Sequence, residues 1–266
     1  MKLNHFIAAL AGALLVQGIA LAQVKPTVQT FPKEAPKSVA FIGNSFFYYN
    51  NGITTHFGPI MAERGTPIRQ SMITISGSGF DWHDVASYFR PNAIGKYSFD
   101  AQNNVIMNPP RQPLFDAAIL MDCSQCPIHP QLKSVFTEYA KKHSDTVRRN
   151  GSTPVFFMSW AYKDKPEMTA ELADAYTKAG NDNGVLVIPV GLAFAKAIAL
   201  KPDLELYAAD KRHPSLAGTY LSAVTTYATI FNQSPVGLKY NAGLPPETAL
   251  FLQQVANDTV KEYLNR

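Results

Sequence analysis

The chain has 266 residues, with 24 Lys and Arg against 20 Asp and Glu, a formal charge of +4. That excess is small and scattered, which excludes a polybasic surface for nucleic acid or anionic membrane. The length suits one α/β domain after removal of a leader.

Residues 1–22, MKLNHFIAALAGALLVQGIALA, carry one lysine near the start, an apolar stretch from Phe6 to Val16 and a small-x-small ending at Ala20-Leu21-Ala22. This is the pattern of a secretory signal peptide, and export to the periplasm or medium with cleavage near Ala22 is expected. Gln17 and Gly18 interrupt the run, so it falls short of the roughly 20 apolar residues of a spanning helix. No later stretch is long and apolar enough to span a bilayer, and no transmembrane helix is expected in the mature chain. Residues 23–37 mix Pro, Lys and Thr without periodicity and read as a leader segment that wraps onto the domain or stays mobile. Residues 38–266 then form a single domain.

Five apolar runs of strand length follow: Ser38 to Ile42, Ile68 to Ile75, Ala117 to Met121, Pro154 to Trp160 and Val185 to Val190. Runs apolar on both faces belong to a parallel sheet. Helical patterns fit at Thr54 to Arg64, Gln131 to Arg149, Lys165 to Asn181 and Leu216 to Phe231. The alternation predicts a three-layer α/β/α fold, flavodoxin-like, around a parallel sheet of about five strands. Tyr88 to Pro113, rich in Asn and Pro, reads as a long surface loop.

The first strand runs into FIGNSFFYY, Phe41 to Tyr49. Ligands of such folds bind outside the carboxyl ends of the strands, and Ser45 is three residues past Ile42. A serine opening the next helix is placed as a nucleophile with its own N–H facing the reacting group. On this tripeptide alone the commoner role is a helix cap, since Ser and Asn are the usual capping residues. Phe46 to Tyr49 and Trp160 read as packing that also walls a pocket. His83 follows the Gly77 loop, where it is placed to touch substrate, but reads rather as a surface or capping residue, and no partner suggests itself for His56, His129 or His143.

After the third strand comes LMDCSQCP, with Cys123 and Cys126 two residues apart. A local disulfide, a redox pair and half a metal site compete. Zinc needs two further ligands and only His129 is near, while a thioredoxin-like motif belongs after the first strand of its own fold. In an exported chain a structural disulfide is the expectation, and no metal is expected. GNDNG, Gly180 to Gly184, reads as an ordinary turn.

Late in the chain, YAADKRHPSLAGTYLSA places Asp210 and His213 three residues apart. That spacing lets a carboxylate reach Nδ1 of the imidazole while Nε2 faces outward, the orienter and base of a triad. Alone the pair is common; with Gly43-Asn44-Ser45 after the first strand it carries more weight.

With these motifs the mature chain resembles the SGNH hydrolases, the GDSL-like esterases and lipases. It is similar to a bacterial branch of them in the style of FIGNSFFYYNN, FFMSW, VIPVGLAF, LYAADKRHPSLAGTYLSA and SPVG. The resemblance implies that Ser45, Asp210 and His213 are catalytic, that Gly77 after the second strand lines the oxyanion hole with the Ser45 N–H, and that no cofactor is needed. It also implies a donor amide after the third strand, where Cys123 stands instead; a thiol is a weak donor, and Gln125 is the nearest amide. The expected activity is hydrolysis of acyl esters, with a small molecule, a glycan or a lipid as substrate. A binding protein that keeps the fold without the chemistry is the alternative, and a thiol oxidoreductase using Cys123 and Cys126 a third. Acyl length and oligomeric state are not written in the sequence.

Overall fold

A computed structural model describes residues 24–90, 97–107 and 113–266. The expected signal peptide and parts of the expected surface loop lie outside the described residues.

Strand β1 (Ser38–Gly43) is buried along its whole length and is paired on both edges. It lies parallel to β2 (Arg69–Thr74), the half-exposed edge strand, and to β5 (Ala117–Leu120). The sheet continues through β6 (Thr153–Phe157) and β7 (Leu186–Ile188), all parallel, in the order β2-β1-β5-β6-β7. The chain leaves β1 toward β2 and returns to the other side of β1 as β5. The strand order therefore reverses beside β1, and the crevice beyond the carboxyl ends of β1 and β5 is the place where such sheets bind ligands.

Helix α1 (Ser45–Tyr48) is one turn, followed by α2 (Ile53–Glu63); a short α3 (Val85–Tyr88) comes after β2. Helices α4 (Lys133–Arg149) and α5 (Met168–Asn183) pack together over β6 and β7. Helices α2 and α7 (Leu216–Phe231) pack together on β2 and β7 respectively, and α8 (Pro246–Leu264) backs α7, with α6 (Val190–Leu200) between α5 and α8. This is the expected three-layer arrangement.

Helix α7 is buried from Ala217 to Ile230 although it carries Ser222, Thr225, Thr226 and Thr229. Each of these hydroxyls donates to the carbonyl four residues earlier, at 2.7–2.9 Å, so none is left unpaired in the core. Gly218 lets the start of α7 seat on the Leu206 carbonyl, which a Cβ would meet at 2.4 Å.

Three features differ from the sequence reading. Helices α6 and α8 were not anticipated. Within the expected loop, β3 (Tyr97–Phe99) and β4 (Val105–Met107) form a small antiparallel hairpin. Gly180 to Asn183 is the end of α5, and the turn begins only at Gly184, a left-handed cap at φ 60°. The leader wraps onto the domain: Val24 N–H donates to Asp174, Thr27 to Asn181, Asn181 Nδ2 to the Lys25 carbonyl, and Arg266 to the Gln29 carbonyl.

Candidate active site

Two residues of the first motif divide the two roles open to them. Asn44 is the N-cap of α1, its Oδ1 accepting from Phe46 N–H at 3.2 Å. Its Nδ2 donates to the carbonyls of Ser78 at 3.0 Å and Asp122 at 3.1 Å, tying the loops after β1, β2 and β5 together. Ser45 is thereby free of capping duty, and its Oγ is 2.7 Å from His213 Nε2.

His213 Nδ1 is hydrogen-bonded to Asp210 Oδ2. The other carboxylate oxygen accepts the N–H groups of Arg212 and His213, each at 3.0 Å. Burial pushes the Asp210 carboxyl up, but these three hydrogen bonds outweigh it and hold it at about 2. The turn closes through Lys211 in the left-handed region, φ 65°.

Four contacts from outside brace that turn. Trp160 Nε1 donates to the Arg212 carbonyl at 2.9 Å and Lys163 N–H to the Lys211 carbonyl at 2.9 Å. Asn50 Nδ2 donates to the Pro214 carbonyl and to Thr219 Oγ1, both at 2.9 Å. The Asn50 carbonyl in turn faces His56 Nε2 at 3.1 Å, with Tyr240 on the other ring nitrogen. A ring stack supports the same turn: Phe194 lies on Trp160 with centroids 4.2 Å apart, Trp160 on Phe46 at 4.5 Å, and the Phe46 edge meets His213. Tyr49 stacks flat on the imidazole, centroids 4.0 Å apart. The aromatics after Ser45 thus hold the histidine from two sides.

Gly77 takes φ 71°, and neither its N–H nor that of Ser45 donates to a group of the chain among the described residues. Cys123 and Cys126 are joined in a disulfide, so neither sulfur is available as a thiolate ligand. Gln125 is half-buried inside that loop; its carbonyl accepts from Ile128 and His129, while its side-chain amide makes no hydrogen bond among the described residues.

Two buried groups beside the site differ from the sequence reading, Asp122 because it was not singled out and His83 because it was placed at the surface or at a cap. Asp122 is 2% exposed, with Oδ1 accepting from Phe80 N–H at 2.6 Å and Oδ2 without a hydrogen-bond partner among the described residues. Burial raises its pKa to about 7, against the Cys123 and Phe80 N–H groups that lower it. His83 is buried rather than at the surface, its Nε2 facing Gly43 O at 3.1 Å and Ser78 Oγ at 2.9 Å, its Nδ1 facing Tyr88 OH. Burial lowers it to about 4, which keeps it neutral. Sequence spacing carried a hint for His83, because Ser78 and Tyr88 are each five residues away; nothing local marks Asp122.

No protein-family model matches the chain, and no curated protein matches it. Solved structures do. A DUF4886 family protein from Bacteroides uniformis superposes with a TM-score of 0.58 at 17% identity, covering 83% of this chain and 93% of that one. A protein from Slackia heliotrinireducens, described provisionally as an SGNH hydrolase, gives 0.53 at 19% identity, covering 72% and 97%. The acetyl xylan esterase AlAXEase gives 0.52 at 15% identity, covering 72% and 98%. At these identities the likeness is one of architecture, and by architecture this chain has the fold of the SGNH hydrolases.

Proposed function

We propose that the protein is an exported serine ester hydrolase. The observation that carries the reading is the continuous hydrogen-bond chain from Ser45 Oγ through His213 to Asp210, at the carboxyl end of β1. Ser45 attacks an ester carbonyl while His213 Nε2 takes its proton, later returning it to the leaving alcohol; Asp210 holds the tautomer and the charge of the imidazolium. The oxyanion is met by the N–H groups of Ser45 and Gly77 and by the Gln125 amide, all three unengaged among the described residues. Water then attacks the acyl-serine with His213 again as base. Acyl esters of carbohydrates are the class to test first, since a structure sharing the fold is an acetyl xylan esterase; envelope glycans and lipids come next.

A non-catalytic binding protein is the second reading, favoured by Cys123 standing where the resembled family carries an amide and being locked in a disulfide. Turnover of 4-nitrophenyl acetate by the mature protein, with a serine-directed phosphonate, separates the two. The hydrolase reading expects turnover, one phosphonate adduct on the peptide containing Ser45, and a loss of roughly a thousandfold or more in kcat for Ser45→Ala and His213→Ala, with Asp210→Ala milder. Absence of both turnover and adduct supports the binding protein.

A further inference from the structure

One strong charge beside the site is left unused by this reading. Arg212 sits inside the Asp210 to His213 turn with its main chain committed, N–H to Asp210 and carbonyl to Trp160 Nε1. Its side chain is placed by a different contact: the guanidinium lies over the Tyr162 ring, 4.8 Å from the centroid. Tyr162 is itself buried and fixed, its hydroxyl 2.6 Å from Ser124 Oγ in the disulfide loop. The guanidinium, carried by the turn that holds His213, thus rests on a ring that is anchored to the disulfide loop.

The neighbouring cations are neutralised within the chain, Lys163 by Glu205 at 2.5 Å and Lys211 by Asp164 at 3.9 Å. The Arg212 guanidinium has no carboxylate within ion-pair distance and donates no hydrogen bond among the described residues, and it is exposed. Stacking occupies one face of a guanidinium and leaves its N–H edge free, and that edge matches the paired oxygens of a carboxylate or phosphate. A stacked arginine is also already ordered, which lowers the entropy lost on gripping an anion.

We propose that Arg212 is a specificity-determining residue that recognises an anionic group, carboxylate or phosphate, carried by the substrate close to the scissile ester. The substrate class is then acyl esters of acidic molecules, such as acidic sugars or phosphorylated alcohols. The word substrate here rests on the hydrolase reading above; the recognition of an anion does not.

Three aryl acetates test it: 4-acetoxybenzamide, its isosteric anion 4-acetoxybenzoate, and the larger 4-acetoxyphenyl phosphate. A charge-assisted contact of this kind corresponds to about tenfold or more. Arg212→Gln is expected to lower kcat/KM for at least one anionic ester tenfold more than for the amide. The excess loss should shrink at about 0.5 M salt and be partly restored in Arg212→Lys; the ester that loses more identifies the anion. Equal losses on all three overturn the proposal and reduce Arg212 to a holder of the turn. A second measurement needs no turnover: calorimetric titration of Ser45→Ala, with and without Arg212→Gln, by 4-hydroxybenzoate and 4-hydroxyphenyl phosphate. Binding that vanishes with Arg212→Gln sustains the proposal even in a protein that hydrolyses no ester, a result that sinks the hydrolase reading alone. Identical binding with and without the arginine overturns it.

Discussion

Asn44 and Ser45 show how a site separates two roles that a short motif leaves mixed, because the amide of Asn44 reaches both the cap and two neighbouring loops while the serine hydroxyl reaches His213. The same scale sets the test of Gln125, the free amide in the disulfide loop. A side-chain donor to an oxyanion is worth about 3 kcal/mol, on the order of a hundredfold. Gln125→Ala is therefore expected to cut kcat by about a hundredfold with little change in KM, the pattern of an interaction made only in the transition state. A silent Gln125→Ala, together with a rate gain in a Cys123→Asn/Cys126→Ser variant, marks a defective hole instead. Asp122 makes a separate prediction for stability. Its pKa is raised by burial from the ordinary value of about 4 to about 7, so between those values the folded chain binds a proton that the unfolded chain has lost, and stability falls as pH rises. The buried His56, His83 and His143, all lowered by burial, tilt stability the other way below the ordinary histidine value of about 6.5. The comparison is therefore between wild type and Asp122→Asn: the variant should gain urea resistance relative to wild type on going from pH 5 to pH 8. A constant difference across that range refutes the buried carboxyl.

At the scale of elements, the stack of Phe46, Trp160 and Phe194 brings α1, the segment after β6 and α6 to bear on one turn. Trp160→Phe keeps a ring in the stack but deletes the part-buried hydrogen bond to the Arg212 carbonyl, at a cost of about 1 kcal/mol. The expected result is a lower Tm and a kcat reduced about tenfold, with far-UV circular dichroism unchanged; wild-type kcat in that variant shows that the turn holds without the tryptophan. The sheet was legible because its inner strands are buried on both faces and so appear as unbroken apolar runs, as in Ser38 to Gly43. Helix α6 was not, since Val190 to Leu200 is apolar nearly throughout, begins at Pro189 without a side-chain cap and merges with the run of β7. Helix α8 had the period, in Leu252, Val255, Ala256, Thr259, Val260 and Tyr263, but starts at Pro245-Pro246 after an irregular stretch, with no side-chain cap to mark its beginning. The turn from Asp210 to His213 could be read because its contacts are local. The burial of Asp122 could not, because its partner Phe80 is 42 residues away and meets it only when β2 and β5 flank β1.

For the molecule as a whole, the leader from Val24 onward is fastened to α5 and to Arg266, so the first and last described segments close on each other on the side of the domain that carries α5 and α8. The opposite ends of the strands are left to the site. Ser45 and His213, which share one hydrogen bond, are separated by 168 residues of chain. Order between them has to be built through the sheet and then through α7, and the closure of so long a loop comes late when a chain of this size folds through intermediates. In refolding from urea, ester turnover is therefore expected to return measurably after the helical and strand signals of far-UV circular dichroism; coincident traces rule this out. If the proposed triad is the working centre, its parts come from opposite ends of the described chain, and any reactivity of Ser45 has to wait until the segment carrying His213 has docked on the first strand.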